Sequence, residues 1–238
     1  MSPKPLPKLA AADEKPLSAP ASFSPLSLSP FIEHTLLKAD ASKADIIRLA
    51  HEAVEHGFVG ACVNLFHLET LRNALGNSPV KAVTVIGFPL GATLPEVKAF
   101  ETREATKRGA HEVDMVLNIG ALKAGDHAWA RQDIEAVVKA AQGAQVKVIL
   151  ETGLLTEAEK EAACQLAKSA GAHFVKTCTG FSAGKATEAD VALMRRVVGS
   201  HMGVKASGGI STAEAAAALL RAGACRLGTS AGVQLVCP

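Results

Sequence analysis

Two lysines stand inside short apolar runs that lead into small residues and glycine: Lys176 in "FVKTCTGFS", residues 174–182, and Lys205 in "GVKASGGIS", residues 203–211. In an extended strand, side chains alternate between faces. Lys176 therefore lies with Phe174 and Cys178 opposite Val175 and Thr177, and Lys205 lies with Gly203 and Ser207 opposite Val204 and Ala206. If the valines pack against covering helices, both ammonium groups enter one interior. Burial and like charge there both favour loss of a proton, so one of the two is expected to become a neutral amine near physiological pH. Such an amine is a nucleophile toward carbonyl carbon. The competing reading makes each lysine a scaffold group, snorkelling or paired with a carboxylate.

Asp114, in the otherwise apolar "HEVDMVLN", is a carboxylate that needs a buried partner, which an inward lysine would supply. It could hold one lysine as ammonium and pass protons through water, or form a purely structural ion pair. Lys147 in "VKVILETG" and Lys81 in "VKAVTV" fall at strand beginnings and read as structural. Lys147 has the further option of lending charge to the interior.

Glycines follow several of the same runs, at Gly180, Gly208, Gly209 and Gly228, and "LGTSAG" adds the hydroxyls of Thr229 and Ser230. Backbone N–H groups at such turns, together with the helix start near Ser211, suit a phosphate. Turn geometry alone would account for any single one of these glycines.

The elements that must position these residues alternate regularly. Strand candidates are "FIEHTLL", "FVGACVNL", "VKAVTVIGF", "HEVDMVLNIG", "QVKVILETG", "HFVKTCTG", "MGVKASGG" and "CRLGTS". Alanine-rich amphipathic stretches such as "KADIIRLAHEAVEHG" and "EAEKEAACQLAKSAGA" lie between them. Helix starts are expected at Ser42, Thr93, Thr156, Thr187 and Ser211, each with an acid three residues on, and stops at Gly57, Gly109, Gly171 and Gly223. Eight strand–helix units imply a parallel sheet closed into a (β/α)8 TIM barrel, an α/β fold with chemistry at the C-terminal strand ends. The rival, an open doubly wound sheet, lacks its GxGxxG fingerprint here. Residues 1–30, rich in Pro, Ser and Ala, read as a flexible N-terminal extension, leaving 31–238 as the barrel domain.

Composition narrows the functions. The formal charge of +2 is unclustered, which argues against a nucleic-acid surface, and no apolar run is long enough to span a membrane. Five cysteines without CxxC spacing and eight scattered histidines argue against a disulfide framework and a protein-held metal, and point to a reducing, cytoplasmic compartment.

Taken in order, "HTLLKADAS", "ACVN", "EVDMVLNIGALKAGD", "ETGLLTEAEK", "VKTCTGFS", "GVKASGGIST" and "RLGTSAG" resemble the deoxyribose-phosphate aldolases, class I aldolases of (β/α)8 fold, from about Phe31 to Val236. The resemblance implies reversible cleavage of 2-deoxy-D-ribose 5-phosphate to D-glyceraldehyde 3-phosphate and acetaldehyde, without metal or organic cofactor. It makes Lys176 the Schiff-base former and Lys205 the neighbour that lowers its pKa and moves protons. Asp114 becomes part of the proton relay. Cys62 and Thr179 resemble substrate-pocket positions, and Gly180, Gly208, Gly209, Gly228 and Ser230 a phosphate cradle. Partners are then a phosphosugar and small aldehydes, with a homo-oligomer an open option.

Departures from the family pattern are Cys178 for serine beside the nucleophile, which offers an oxidation site, Leu65 for proline, Ala231 for a second serine, and Glu33 for aspartate, to which no role is assigned. The C-terminal tyrosine of some relatives is missing. Another lysine-dependent sugar-phosphate barrel, a phosphosugar-binding barrel without covalent capture, and a pyridoxal-phosphate enzyme remain the alternatives.

Overall fold

The computed structural model describes residues 25–182 and 184–237. Eight parallel strands close into a barrel in sequence order. They are β1 (Ile32–Leu36), β2 (Gly60–Val63), β3 (Lys81–Ile86), β4 (Glu112–Val116), β5 (Gln145–Ile149), β6 (Phe174–Lys176), β7 (Gly203–Ser207) and β8 (Arg226–Thr229), and β8 pairs back onto β1. Helices α1 (Lys43–Glu55), α2 (Leu68–Leu75), α3 (Pro95–Lys107), α4 (Ile119–Lys123), α5 (His127–Ala140), α6 (Glu157–Ser169), α7 (Glu188–Val198), α8 (Ala213–Arg221) and α9 (Gly232–Val236) fill the connections. The eight expected strands are all present, and the fold class is the expected TIM barrel.

Alternation divides each strand between two environments. Outward residues such as Ala61, Val63, Val113, Val146, Val148, Val175, Val204 and Leu227 join Ile46, Leu49, Leu71, Ile134, Val137, Val191 and Leu219 of the helices in one buried apolar layer. That layer supplies the hydrophobic driving force, which leaves the inward positions free to carry charge.

Three of the expected helix starts hold. Ser42 and Thr156 form capping boxes with Asp45 and Glu159, and the Thr187 hydroxyl accepts from the Asp190 N–H. Two move by one residue. Leu94 caps α3 because Pro95, which has no N–H to satisfy, occupies the first helical position. Thr212 rather than Ser211 caps α8, its hydroxyl accepting from the Ala215 N–H.

The expected boundary of the N-terminal extension at residue 30 also moves. Pro25–Phe31 forms a 3-10 turn with Leu28 and Phe31 buried, packed against α8 and α9 at the barrel's N-terminal end. Leu28 and Phe31 are the apolar side chains of this turn that the core takes up. The remainder of the extension lies outside the described residues.

One buried ion pair ties the helical layer to the strand that carries Asp114. Lys98 of α3 donates to Asp133 of α5 at 2.5 Å and to the Val116 carbonyl at the end of β4 at 2.9 Å.

Leu28 is 1% exposed. Leu28→Ala is expected to destabilise the protein by about 2–5 kcal/mol, as deletion of a packed leucine does. Urea unfolding measures this; a loss below about 0.5 kcal/mol, typical of surface positions, would return these residues to the extension.

Candidate active site

The inward residues stack as a column of charge. Its floor is the ring of Phe174, which Gly203 admits by lacking a Cβ; a Cβ there would lie 2.0 Å from the ring. The Arg226 guanidinium stands 5.4 Å from that ring's centroid and the Lys147 ammonium 5.8 Å. At this level Arg226 donates to Glu112 at 3.3 Å and to Glu33 at 3.2 Å, and Lys81 reaches Glu112 at 3.4 Å from a partly exposed position. Above them, Lys147 contacts Glu112 at 2.5 Å, Asp114 at 2.8 Å and Glu33 at 3.5 Å. At the top, Lys176 and Lys205 both donate to Oδ2 of Asp114, at 2.8 and 2.7 Å, and Lys205 also donates to Glu33.

Register explains these meetings. Lys176 and Lys205 are Cα partners across β6 and β7, and Asp114 and Lys147 are partners across β4 and β5. The ends of β6 and β7 are clamped by Thr177, whose hydroxyl donates to the Ser207 carbonyl and accepts from the Ser207 N–H. Strands β1–β3 contribute an apolar wall opposite the lysines, made of Leu37, Cys62, Val83 and Val85 with Phe88 against them. Phe88 meets Phe181, from the loop after β6, edge to face at 5.1 Å.

The amines differ in how many anions they touch. Lys147 contacts three carboxylates, Lys205 two and Lys176 one. Burial alone would lower Lys205, but Asp114 and Glu33 outweigh it and hold the ammonium above its ordinary pKa. Lys147 is raised in the same way, by Asp114, Glu112 and Glu33 against burial. Both are fixed cations. Within this column four buried cations (Lys147, Lys176, Lys205 and Arg226) face three buried carboxylates (Glu33, Glu112 and Asp114). With every group charged, the interior holds one positive charge in excess.

The chain matches the model of the DeoC/LacD family of aldolases over residues 27–235. The chain belongs to this family. Curated relatives named deoxyribose-phosphate aldolase include one from Geobacillus sp. (strain WCH70), 56% identical over 211 residues, covering 88% of this chain and 95% of that protein. Another, from Thermococcus gammatolerans, is 55% identical over 215 residues, covering 89% and 96%. Among solved structures, the tetrameric deoxyribose phosphate aldolase from Aeropyrum pernix superposes with a TM-score of 0.83 at 33% identity, covering 90% of this chain and 91% of that one. The protein is accordingly an aldolase, a carbon–carbon lyase.

The expected site residues of this aldolase fall into three groups. Lys176, Lys205 and Asp114 come together as expected. Cys62 joins the apolar wall, and burial pushes its thiol up to about 11, so it presents an uncharged surface. Thr179 is committed elsewhere: its hydroxyl donates to Glu151 at 2.5 Å, its N–H donates to the same oxygen at 3.1 Å, and it accepts from the Phe181 N–H. Glu151, buried in the left-handed region at φ 57°, thereby shapes the loop that follows Lys176.

Of the glycines, Gly180, Gly208 and Gly209 lie in loops at the C-terminal end, all with positive φ, and Ser230 is exposed just beyond β8. Gly228 differs. It lies within β8, where a Cβ would come within 2.9 Å of the Lys205 stem, so its smallness makes room for that lysine.

Cys178 is no oxidation site of the reactive kind. It is buried against Thr152 and Gly208, and burial raises its thiol pKa, which keeps the reactive thiolate scarce. Sequence reasoning missed Glu33, Glu112 and Arg226 as members of the network, and read Lys147 as structural with only the option of lending charge to the interior. It also missed Lys185, whose stem runs over Gly209. For Lys147 the signal was present: it stands between valines in β5 with the same alternation that singled out Lys176.

Burial alone would raise the Glu112 carboxyl, but Lys147, Arg226 and Lys81 bring it from 4.5 down to about 2, and Lys147, Lys176 and Lys205 hold Asp114 well below its ordinary value. Carboxyls that bind protons more weakly when folded add stability above their unfolded pKa and lose it as pH falls through the folded one. The urea midpoint is therefore expected to fall steadily from pH 4.5 toward about 2. A midpoint that stays flat across that window would contradict the network.

Proposed function

We propose that this aldolase cleaves 2-deoxy-D-ribose 5-phosphate reversibly to D-glyceraldehyde 3-phosphate and acetaldehyde through a Schiff base on Lys176. The observation that carries this reading is the unequal compensation of three buried amines. Lys176 makes a single carboxylate contact, shared with Lys205, so it is the amine least tied into ion pairs and the one placed to bond to a carbonyl carbon. The names of the relatives supply the substrate.

Lys176 Nζ attacks the C1 aldehyde of the open-chain sugar, and loss of water from the carbinolamine leaves an iminium. The C3 hydroxyl then gives its proton to Asp114 or to a water held by Asp114 and Lys205. The C2–C3 bond breaks, its electron pair flows toward the iminium to form an enamine, and glyceraldehyde 3-phosphate departs. Protonation of the enamine at C2, followed by addition of water, releases acetaldehyde and restores the amine. The water lost in the first half is regained in the second, so the cycle balances. Lys205, kept cationic by Glu33 and Asp114, repels a proton from Lys176 and supports charge movement at C3. We assign the phosphate to the N–H groups of Gly180, Gly208 and Gly209 and the hydroxyl of Ser230, with the cationic Lys185 beside them.

Borohydride reduction in the presence of substrate, with peptide mass mapping, is expected to place the adduct on Lys176. Lys176→Ala should lower kcat at least about 10³-fold, in line with loss of a covalent nucleophile, with the fold retained by circular dichroism. An adduct on another lysine, or near-normal turnover in that variant, would overturn the assignment. All five cysteines are free, which supports the cytoplasmic compartment expected from the sequence.

We further propose that α3 is the contact between subunits, given the tetrameric relative. Phe66, Leu90, Leu94, Val97 and Phe100 are exposed around an apolar groove of about 500 Å3 between α3 and the loop after β3. Glu96 lies in the first turn of α3 and Lys107 in its last. A two-fold axis across the helix sets each acid opposite a partner's base. Leu94→Glu combined with Phe100→Glu is expected to lower the mass measured by light scattering after gel filtration. An unchanged mass, or a wild-type monomer, would refute this contact.

A further inference from the structure

We propose that Glu112 and Arg226, at the closed N-terminal end of the barrel, are positioning residues that set how readily Lys176 gives up its proton. This rests on the reading of Lys176 as the nucleophile. Neither residue reaches the mouth where substrate must enter. Both are instead wired to it: Arg226 through Glu33 to Lys205, and Glu112 through Lys147 to Asp114, the one carboxylate that Lys176 touches.

The geometry makes the wiring electrostatic. Glu112 lies two residues below Asp114 on the same face of β4, a separation of about 7 Å. The column between them is lined by side chains with almost no exposure, so water screens little. Facing Glu112 are Lys81 from β3, Lys147 from β5 and Arg226 from β8. His111 and His173 lie nearby. Burial lowers both imidazoles, and each accepts a backbone N–H at Nδ1, so they add no fixed charge near neutrality. Facing Lys176 are Asp114 from β4 and Lys205 from β7, with Glu33 of β1, Lys147 of β5 and the neutral Cys62 of β2 around them.

Opposite charges at the floor must therefore push the nucleophile in opposite directions. Removing the Glu112 anion leaves more uncompensated positive charge and makes Lys176 release its proton at lower pH. Removing the Arg226 cation makes it hold the proton to higher pH. For a unit charge about 10 Å away at an effective dielectric constant of about 20, the displacement is on the order of one pH unit.

Acetaldehyde with cyanoborohydride probes this without an ionisable substrate. The initial rate of adduct formation at Lys176, mapped by mass spectrometry, is followed against pH in the full-length protein. The midpoint is expected to fall by about one unit in Glu112→Gln and rise by about one in Arg226→Gln. It should return to within about 0.3 units of wild type in the double variant, where the two changes cancel. A structural role would instead impair both single variants alike and the double variant further. Lys81→Gln, at the solvent end, keeps the test open should the buried variants not fold, and is expected to raise the midpoint by a few tenths of a unit. Folded variants whose midpoints stay put, or that move together, would overturn the proposal. Absence of any adduct on Lys176 in the wild type would instead sink the assignment of the nucleophile.

Discussion

Asp114 is shared. One carboxylate in a sealed interior receives hydrogen bonds from three lysines, and the rest of the molecule is arranged so that this can happen without unfolding it. Three ammonium groups around one aspartate would be untenable alone. Glu33 and Glu112 compensate two of them from below, but the Arg226 guanidinium beside both glutamates leaves the sum one negative charge short. The imbalance is small enough for a stable fold to carry, and the proposed mechanism assigns the nucleophile to Lys176, the amine that touches one carboxylate only.

The barrel makes the shortfall affordable in structural terms. Outward positions are mostly apolar and sealed by helices, so the inward column is not asked to contribute hydrophobic burial. Parallel register sets the lysines of β6 and β7 side by side, and the Thr177–Ser207 clamp holds them there. The Lys98–Asp133 pair pins β4 from outside. Facing the amines stands the apolar wall of Leu37, Cys62, Val83 and Val85.

Much of this was legible in the chain. Period-two alternation sufficed to turn Lys176, Lys205 and Asp114 inward, because alternation is a local property of an extended backbone. Capping patterns located helix starts to within a residue: Thr93 gives way to Leu94 because Pro95 fixes the first turn, and Ser211 gives way to Thr212. What the chain hid were contacts that exist only when the ring closes. Glu33 meets Lys205 across 172 residues and Arg226 across 193, since β1 and β8 are neighbours in space alone. The hydroxyl of Thr179 and the small size of Gly228 were visible as residue types. Their purposes depended on Glu151 and the Lys205 stem, which no local pattern foretells.

Counting hydrogens on the three inward amines would test the central claim most directly. Neutron diffraction from a deuterated crystal at neutral pH, free of substrate, shows each Nζ as carrying two hydrons or three. The account requires two on Lys176 and three on both Lys147 and Lys205; three on all of them would contradict it.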